Sequence, residues 1–149
     1  MEVLMLVMVL AVLNNDANGP VPEKGVPVAE RLVACPDKPN CVSSEARDTG
    51  HAVAPLLLNG DPAAAWEGIC AIVSRLPRSE VVRATGYYLH VTLKSRWFGF
   101  VDDLELLWDT GTDRVAIRSA SRTGYSDLGV NRRRIEQLRI QLKQAAFIH

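Results

Sequence analysis

The stretch Val115-Ala-Ile-Arg-Ser-Ala-Ser-Arg-Thr-Gly-Tyr-Ser-Asp-Leu-Gly-Val-Asn-Arg-Arg-Arg134 decides the fold. Val115, Ile117, Ser119 and Ser121 alternate with Ala116, Arg118, Ala120 and Arg122, the period of a strand whose two faces meet different surroundings. Gly124 then permits a positive φ that most residues resist, and Ser126 or Asp127 is placed to cap a following helix. Leu128, Ile135, Leu138, Leu142 and Ala145 share one stripe, which predicts a helix from about Leu128 or Asn131 to about Ala146. Asn131 lies on that stripe one turn before Ile135, so its amide needs partners in the turn or at the sheet edge.

Moving toward the N-terminus, Asp109-Thr-Gly-Thr-Asp113 turns the chain back into a preceding strand within Phe98 to Trp108. There Phe98, Phe100, Leu104 and Leu106 alternate with Val101, Asp103, Glu105 and Leu107. Tyr87, Leu89, Val91 and Leu93 alternate with Tyr88, His90, Thr92 and Lys94 in another half-buried strand, and Glu80 to Thr85 is a brief one. Trp66, Ile69, Val73 and Leu76 recur at helical spacing between an Asp61-Pro62 start and a Pro77 stop. His51 to Leu58 supplies a first short strand. The expected fold class is α+β, with order β-α-β-β-β-β-α: an antiparallel sheet of four to five strands with two helices on one face.

A chain of 149 residues, 48% hydrophobic and 23% charged, is sized for one globular domain. Its formal net charge of +0 gives no reason to expect nucleic acid as a partner. Charge is nevertheless unevenly placed. Phe98 to Asp113 carries five acids and no base, whereas Arg114 to His149 carries eight bases and two acids, so the two segments are expected to pair.

If Asp109 pairs with Arg114, Glu105 falls opposite Arg118, and Asp103 sits diagonal to Arg118 and Arg122. If the preceding hairpin turns near Ser95 to Phe98, His90 falls opposite Asp103 and Tyr88 opposite Glu105. The open face then gathers Tyr88, His90, Asp103, Glu105, Arg118 and Arg122 as a candidate ligand-binding cluster, dependent on both registers. A histidine beside a carboxylate suits a general base or metal ligand, and two arginines suit an anionic group. The competing reading is a set of cross-strand ion pairs on a solvated face. No Gly-x-Ser-x-Gly elbow is present, and neither Ser126 nor Ser95 has an evident base. His51 and His149 read as ordinary surface histidines.

In the turn, helix amides beside Arg132 and Arg122 offer a possible anion site, but an Asp127 cap would repel the anion. Gly124, Ser126, Asp127, Gly129 and Asn131 therefore read as a structural turn and cap. Cys35 and Cys41 flank a loop with two prolines, for which a structural disulfide is favoured over reduced thiols or a metal site. Closing such a loop contributes roughly 2.4 kcal/mol in the chain-entropy treatment. Cys70, within the first helical pattern, reads as a buried free thiol.

Residues 1–19 read as an apolar leader or anchor remnant, because Val3 to Leu13 is an unbroken run of 11 apolar residues preceded only by Met1 and Glu2. Residues 20–39 read as a linker, within a stretch from Asn14 to Pro39 rich in Pro, Asn, Asp and Gly, ahead of a single domain spanning 35–146. This organisation predicts a periplasmic, secreted or membrane-anchored protein, with a cytoplasmic placement if the leader is not an export signal.

The blocks Cys35-Pro-Asp-Lys-Pro-Asn-Cys-Val-Ser-Ser44, Tyr88-Leu-His90, Phe100-Val-Asp-Asp-Leu-Glu105 and Arg118 through Arg132, with their spacing, resemble the signature of domain-of-unknown-function family 1499 from about Cys35 to Leu142. The resemblance implies a small domain, often behind a signal or membrane segment in bacteria and also found in plastid-bearing eukaryotes. It supplies no established substrate, cofactor or catalytic residue. Two functional expectations follow. One is a non-catalytic envelope or membrane-associated domain that binds a small ligand or an envelope protein, with possible membrane association through its N-terminus. The other is an acid-base or metal-assisted hydrolase using the His90/Asp103 cluster. Neither assigns a catalytic residue, a metal or a cofactor.

Overall fold

The computed structural model describes residues 31–149, and the expected leader, with most of the expected linker, lies outside them. Six strands and two helices follow in the order β1 (Cys41–Ser43), β2 (Leu56–Leu57), α1 (Pro62–Val73), β3 (Ser79–Ala84), β4 (Tyr88–Lys94), β5 (Val101–Trp108), β6 (Arg114–Ser121) and α2 (Val130–Gln144). The pairings between them are antiparallel, in the spatial order β1-β6-β5-β4-β3, with β2 also pairing β6. The fold is thus α+β as expected, with six strands where the sequence indicates four to five. The difference is largely β1, whose three residues are too few to show a period and whose partners lie in Arg118–Ala120.

Period-two alternation sends Leu89, Val91, Leu104, Leu106, Val115 and Ile117 to one face of the sheet, where they meet Ile69 and Val73 of α1 and Ile135, Leu138 and Leu142 of α2. All are essentially buried, and each such side chain contributes about 2 kcal/mol relative to exposure. Trp66 and Trp108 stack at 6.1 Å between centroids at the edge of this core. On the opposite face, Leu32 packs with Leu107 and Ala116 beside Tyr87 and Tyr88, so residues 31–39 begin on the open side of the sheet.

Several boundaries move. The strand expected across His51 to Leu58 contracts to Leu56–Leu57, because Arg139 takes the Ala54 and Pro55 carbonyls at 2.7 and 3.0 Å and leaves them no strand partner. Helix α1 starts as expected, Asp61 accepting from the Ala64 amide at 2.9 Å, but it ends at Val73. Leu76 precedes a proline and turns out of the helix, and its carbonyl accepts the Ser79 amide and hydroxyl. Helix α2 begins at Val130: Leu128 is 83% exposed with φ of +53°, and its buried stripe is Asn131, Ile135, Leu138 and Leu142, without Leu128 or Ala145. Phe98 and Phe100 lie outside β5, in the β4–β5 loop, and are exposed.

The β5–β6 register matches expectation, with Glu105 opposite Arg118 and the Asp109 amide donating to the Arg114 carbonyl. The β4–β5 register is displaced by two residues: His90 faces Glu105, and Thr92, rather than His90, faces Asp103, while Tyr88 faces Leu107. The cause is a longer loop. Lys94 pairs with Val101, and the Ser95 amide reaches the Phe100 carbonyl at 2.8 Å, so six residues make the turn. An even displacement keeps every side chain on its face.

Candidate functional site on the open sheet face

Strands β4, β5 and β6 are interior to the sheet, and the face away from the helices is where their polar residues project. His90 Nε2 lies 2.7 Å from Asp103 Oδ1, while Arg122 donates through Nε and a terminal nitrogen to Asp103 Oδ2 and Oδ1 at 2.9 and 2.8 Å. The Tyr88 hydroxyl donates to Glu105 Oε1 at 2.7 Å, and Arg118 donates to Glu105 Oε2 at 2.8 Å. All six residues of the expected cluster therefore come together as two chains, His90–Asp103–Arg122 and Tyr88–Glu105–Arg118. The two-residue offset turns the β4–β5 contacts from directly opposite into diagonal ones, which Tyr and His are long enough to span.

Burial divides the two chains. Arg118 and Glu105 are each only 12% exposed at the side chain, whereas Arg122 is half exposed. Burial works against the charged Asp103 carboxylate, but its bonds from Arg122 and His90 outweigh that and hold its pKa below the ordinary value. The bond to the Asp103 carboxylate raises that of Arg122. Arg83 of β3, opposite His90, places its guanidinium 5.5 Å from the centre of the Tyr88 ring and extends the cluster by a residue the sequence reading did not select. Its signal is its place on an edge strand beside the cluster.

Every oxygen of Asp103 and Glu105 accepts from a side chain of this protein. Among the described residues no group of three or more His, Cys, Asp or Glu side chains assembles as a metal site. Arg118 Nε and Asn40 Oδ1 are buried without a hydrogen-bond partner among the described residues.

The turn after β6 is a second polar assembly. Gly124 has φ of +87°, and its carbonyl accepts from Asn40 Nδ2 at 2.9 Å. Asp127 Oδ1 accepts the Gly129 amide and Oδ2 the Asn131 amide, so this carboxylate, two residues ahead of the Gly129 N-cap, occupies the first amides of α2. Burial opposes its charge, yet bonds from the Asn131 side chain and from these amides leave its pKa lowered. Ser126 Oγ accepts the Leu128 amide at 3.2 Å. Asn131, fully buried, accepts from Ser119 Oγ and from Arg134 at 2.6 Å each and donates to Asp127, Ser121 Oγ and the Asn40 carbonyl. Arg132, weighed as an anion contact, instead donates to the Gly50 and Ala52 carbonyls.

Two further pairings were not selected from sequence. Asp102, 6% exposed on the helix side of β5, accepts from Arg134 at 2.6 Å. The phase shared by Asp102, Leu104 and Leu106 is the signal that points it inward. Asn40 bridges the cysteine loop to the turn, and the loop itself is closed by a Cys35–Cys41 disulfide with Cα atoms 5.6 Å apart. Cys70 is a free thiol pushed up to about 12 by burial, reinforced by Glu67. His51 is well packed, with Nδ1 2.8 Å from Asp48 and Nε2 3.0 Å from the Lys38 carbonyl; His149 is exposed.

A family model described as "Protein of unknown function (DUF1499)" matches residues 31–142. No curated protein and no solved structure matches the chain.

Proposed function

The chain belongs to the DUF1499 family of proteins of unknown function, and we propose that it is a non-catalytic binding domain of the cell envelope whose open sheet face receives a small ligand or an envelope protein. The observation that carries this reading is the saturation of both carboxylates. Asp103 is held by His90 and Arg122, and Glu105 by Tyr88 and Arg118, so neither has an oxygen left without a donor from its own chain. A committed carboxylate is a poor general base and a poor metal ligand, but it fixes the arginines and the aromatic ring around it. Arg122 is half exposed, which favours a ligand bearing a carboxylate or similar acceptor group. An oxidised Cys35–Cys41 pair suits an exporting context, as does the apolar run Val3 to Leu13 outside the described residues.

The short His90–Asp103 contact supports a second reading. A neutral His90 that donates through Nε2 presents Nδ1 as an acceptor, the arrangement an acid-base hydrolase requires. One experiment separates the two. The full chain, purified from its own host, is observed by native mass spectrometry and then assayed against carboxylic and phosphoric esters with and without divalent cations. Binding predicts a retained species that Arg118→Met and Arg122→Met release and no turnover. Turnover abolished by His90→Ala overturns the binding-only reading, as does the absence of any bound species or partner.

A further inference from the structure

The β4–β5 loop reads Ser95-Arg-Trp-Phe-Gly-Phe100, and the network on the open face makes no use of it. Trp97, Phe98 and Phe100 are 79%, 78% and 55% exposed at the turn of this hairpin. Scattered exposed apolar residues are ordinary, but three aromatics within four positions are not. The loop is tied at its base. The Ser95 amide donates to the Phe100 carbonyl at 2.8 Å, the Phe100 amide to Ser95 Oγ at 3.0 Å, and Arg78 Nε to the Lys94 carbonyl at 3.0 Å. Gly99, with φ of +65°, completes the turn. Phe98 and Phe100 stand 5.7 Å apart as one apolar knob, and the Arg96 guanidinium lies 5.0 Å from the centre of the Trp97 ring.

Cations line a recess at the base of the same loop, where Ser95, Arg96 and Gly99 form part of the wall. Arg78, Lys94 and Arg96 line this recess of about 470 Å³ with one acid, Glu80. Arg78 and Lys94 continue into a groove of about 450 Å³, where Arg133 adds a further charge and Asp102 is neutralised by Arg134. We propose that this hairpin is an interfacial anchor for a bilayer containing anionic lipid, with Phe98 and Phe100 entering the headgroup–acyl boundary, Trp97 at the interface, and Arg78, Lys94, Arg96 and Arg133 facing lipid phosphates. The combination of an apolar wedge with a positive rim is what such a surface accepts. Nucleic acid fits less well, since stacking needs open ring faces and the Trp97 ring already has its own arginine above it. This surface shares no residue with the sheet-face cluster.

The test uses the full chain with vesicles of phosphatidylglycerol and phosphatidylcholine, or phosphatidylcholine alone, carrying brominated acyl chains. Trp66 is buried and Trp108 is partly buried against it, so Trp97, 79% exposed, is the tryptophan most open to bromine. The expected result is a blue shift and quenching with the anionic vesicles, abolished by Trp97→Phe and weakened by high salt. Sedimentation with the same vesicles is expected to show the Trp97→Ser/Phe98→Ser/Phe100→Ser variant partitioning about tenfold less, with thermal unfolding unchanged. The apolar run Val3 to Leu13 is common to every variant, so the difference reports the hairpin. Equal partitioning of the triple variant, quenching that survives Trp97→Phe, or equal quenching in neutral vesicles would each overturn the proposal. So would protection of Trp97 seen only with a protein or nucleic acid.

Discussion

Asn131 of α2 and Ser119 of β6 meet at 2.6 Å, neither exposed to solvent, and through this contact the last helix is keyed to the centre of the sheet. Its amide satisfies Asp127, Ser121 and Arg134 as well. Replacing Asn131 with Ala is expected to cost about 3 kcal/mol, because several buried polar groups lose partners at once. Urea unfolding of the two proteins measures it. A loss below about 1 kcal/mol would show that water replaces the amide.

Arg118 and Glu105 form the most buried pair of the open face. Removing the guanidinium alone with Arg118→Met leaves Glu105 with only its Tyr88 bond, and a loss of about 2 kcal/mol is expected after allowing for residual exposure. Adding Glu105→Gln removes the stranded charge and is expected to recover part of that loss. A double-mutant cycle by chemical denaturation reads the coupling directly.

His51 ties the cysteine loop to the turn at Asp48, and both of its ring nitrogens face acceptors. The Lys38 carbonyl raises its pKa above 6.5, burial opposes, and the Asp48 carboxylate adds to the rise. Its contribution is therefore fully present below pH 6.5 and lost as pH rises through the elevated folded value. Asp48 titrates the other way. Burial opposes its charge but bonds from His51 lower its pKa, so its share is present above pH 3.8 and lost as pH falls through the depressed value. Melting temperatures of the protein and of His51→Gln are expected to differ most between these limits and to converge in alkali. A constant difference across that range would count against the clamp.

Gly68 of α1 lies beneath Phe147, and a Cβ added there would clash with three atoms of the ring. Gly68→Ala improves helix propensity, yet the ring must leave its seat, so a net loss of about 1 to 3 kcal/mol is expected in thermal or urea unfolding. Pairing it with Phe147→Ala would relieve the clash. The double variant should then show little further cost beyond Phe147→Ala alone.

Legibility in the sequence follows interaction range. The β5–β6 hairpin is readable because its five-residue turn is short and complementary charges at Glu105 and Arg118 agree with its register. At β4–β5 the alternation places His90 and Asp103 on one face, but the loop length, and with it the pairing, depends on a Ser95–Phe100 bond invisible in composition. The candidate cluster is recoverable because period two survives an even displacement.

Elements with distant partners are the ones that escape. Strand β1 has three residues and a partner nearly eighty positions later, and Asn40 takes its role from the Gly124 carbonyl. The Asp102–Arg134 pair is disguised in a different way. Asp102 stands among acids that look like one solvated set, and only its phase against Leu104 and Leu106 separates it from Asp103.

Both β1 and β2 pair with β6, and the turn that follows β6 receives the cysteine loop. On a ribosome, residues 41–57 are therefore made long before the template they pair with. The Cys35–Cys41 ring needs only its own seven residues and can close early, but its seat is among the last parts synthesised. Native pairing of β1, β2 and the cysteine loop therefore waits for β6 and the turn after it, which sets a high sequence separation on the contacts that close the domain.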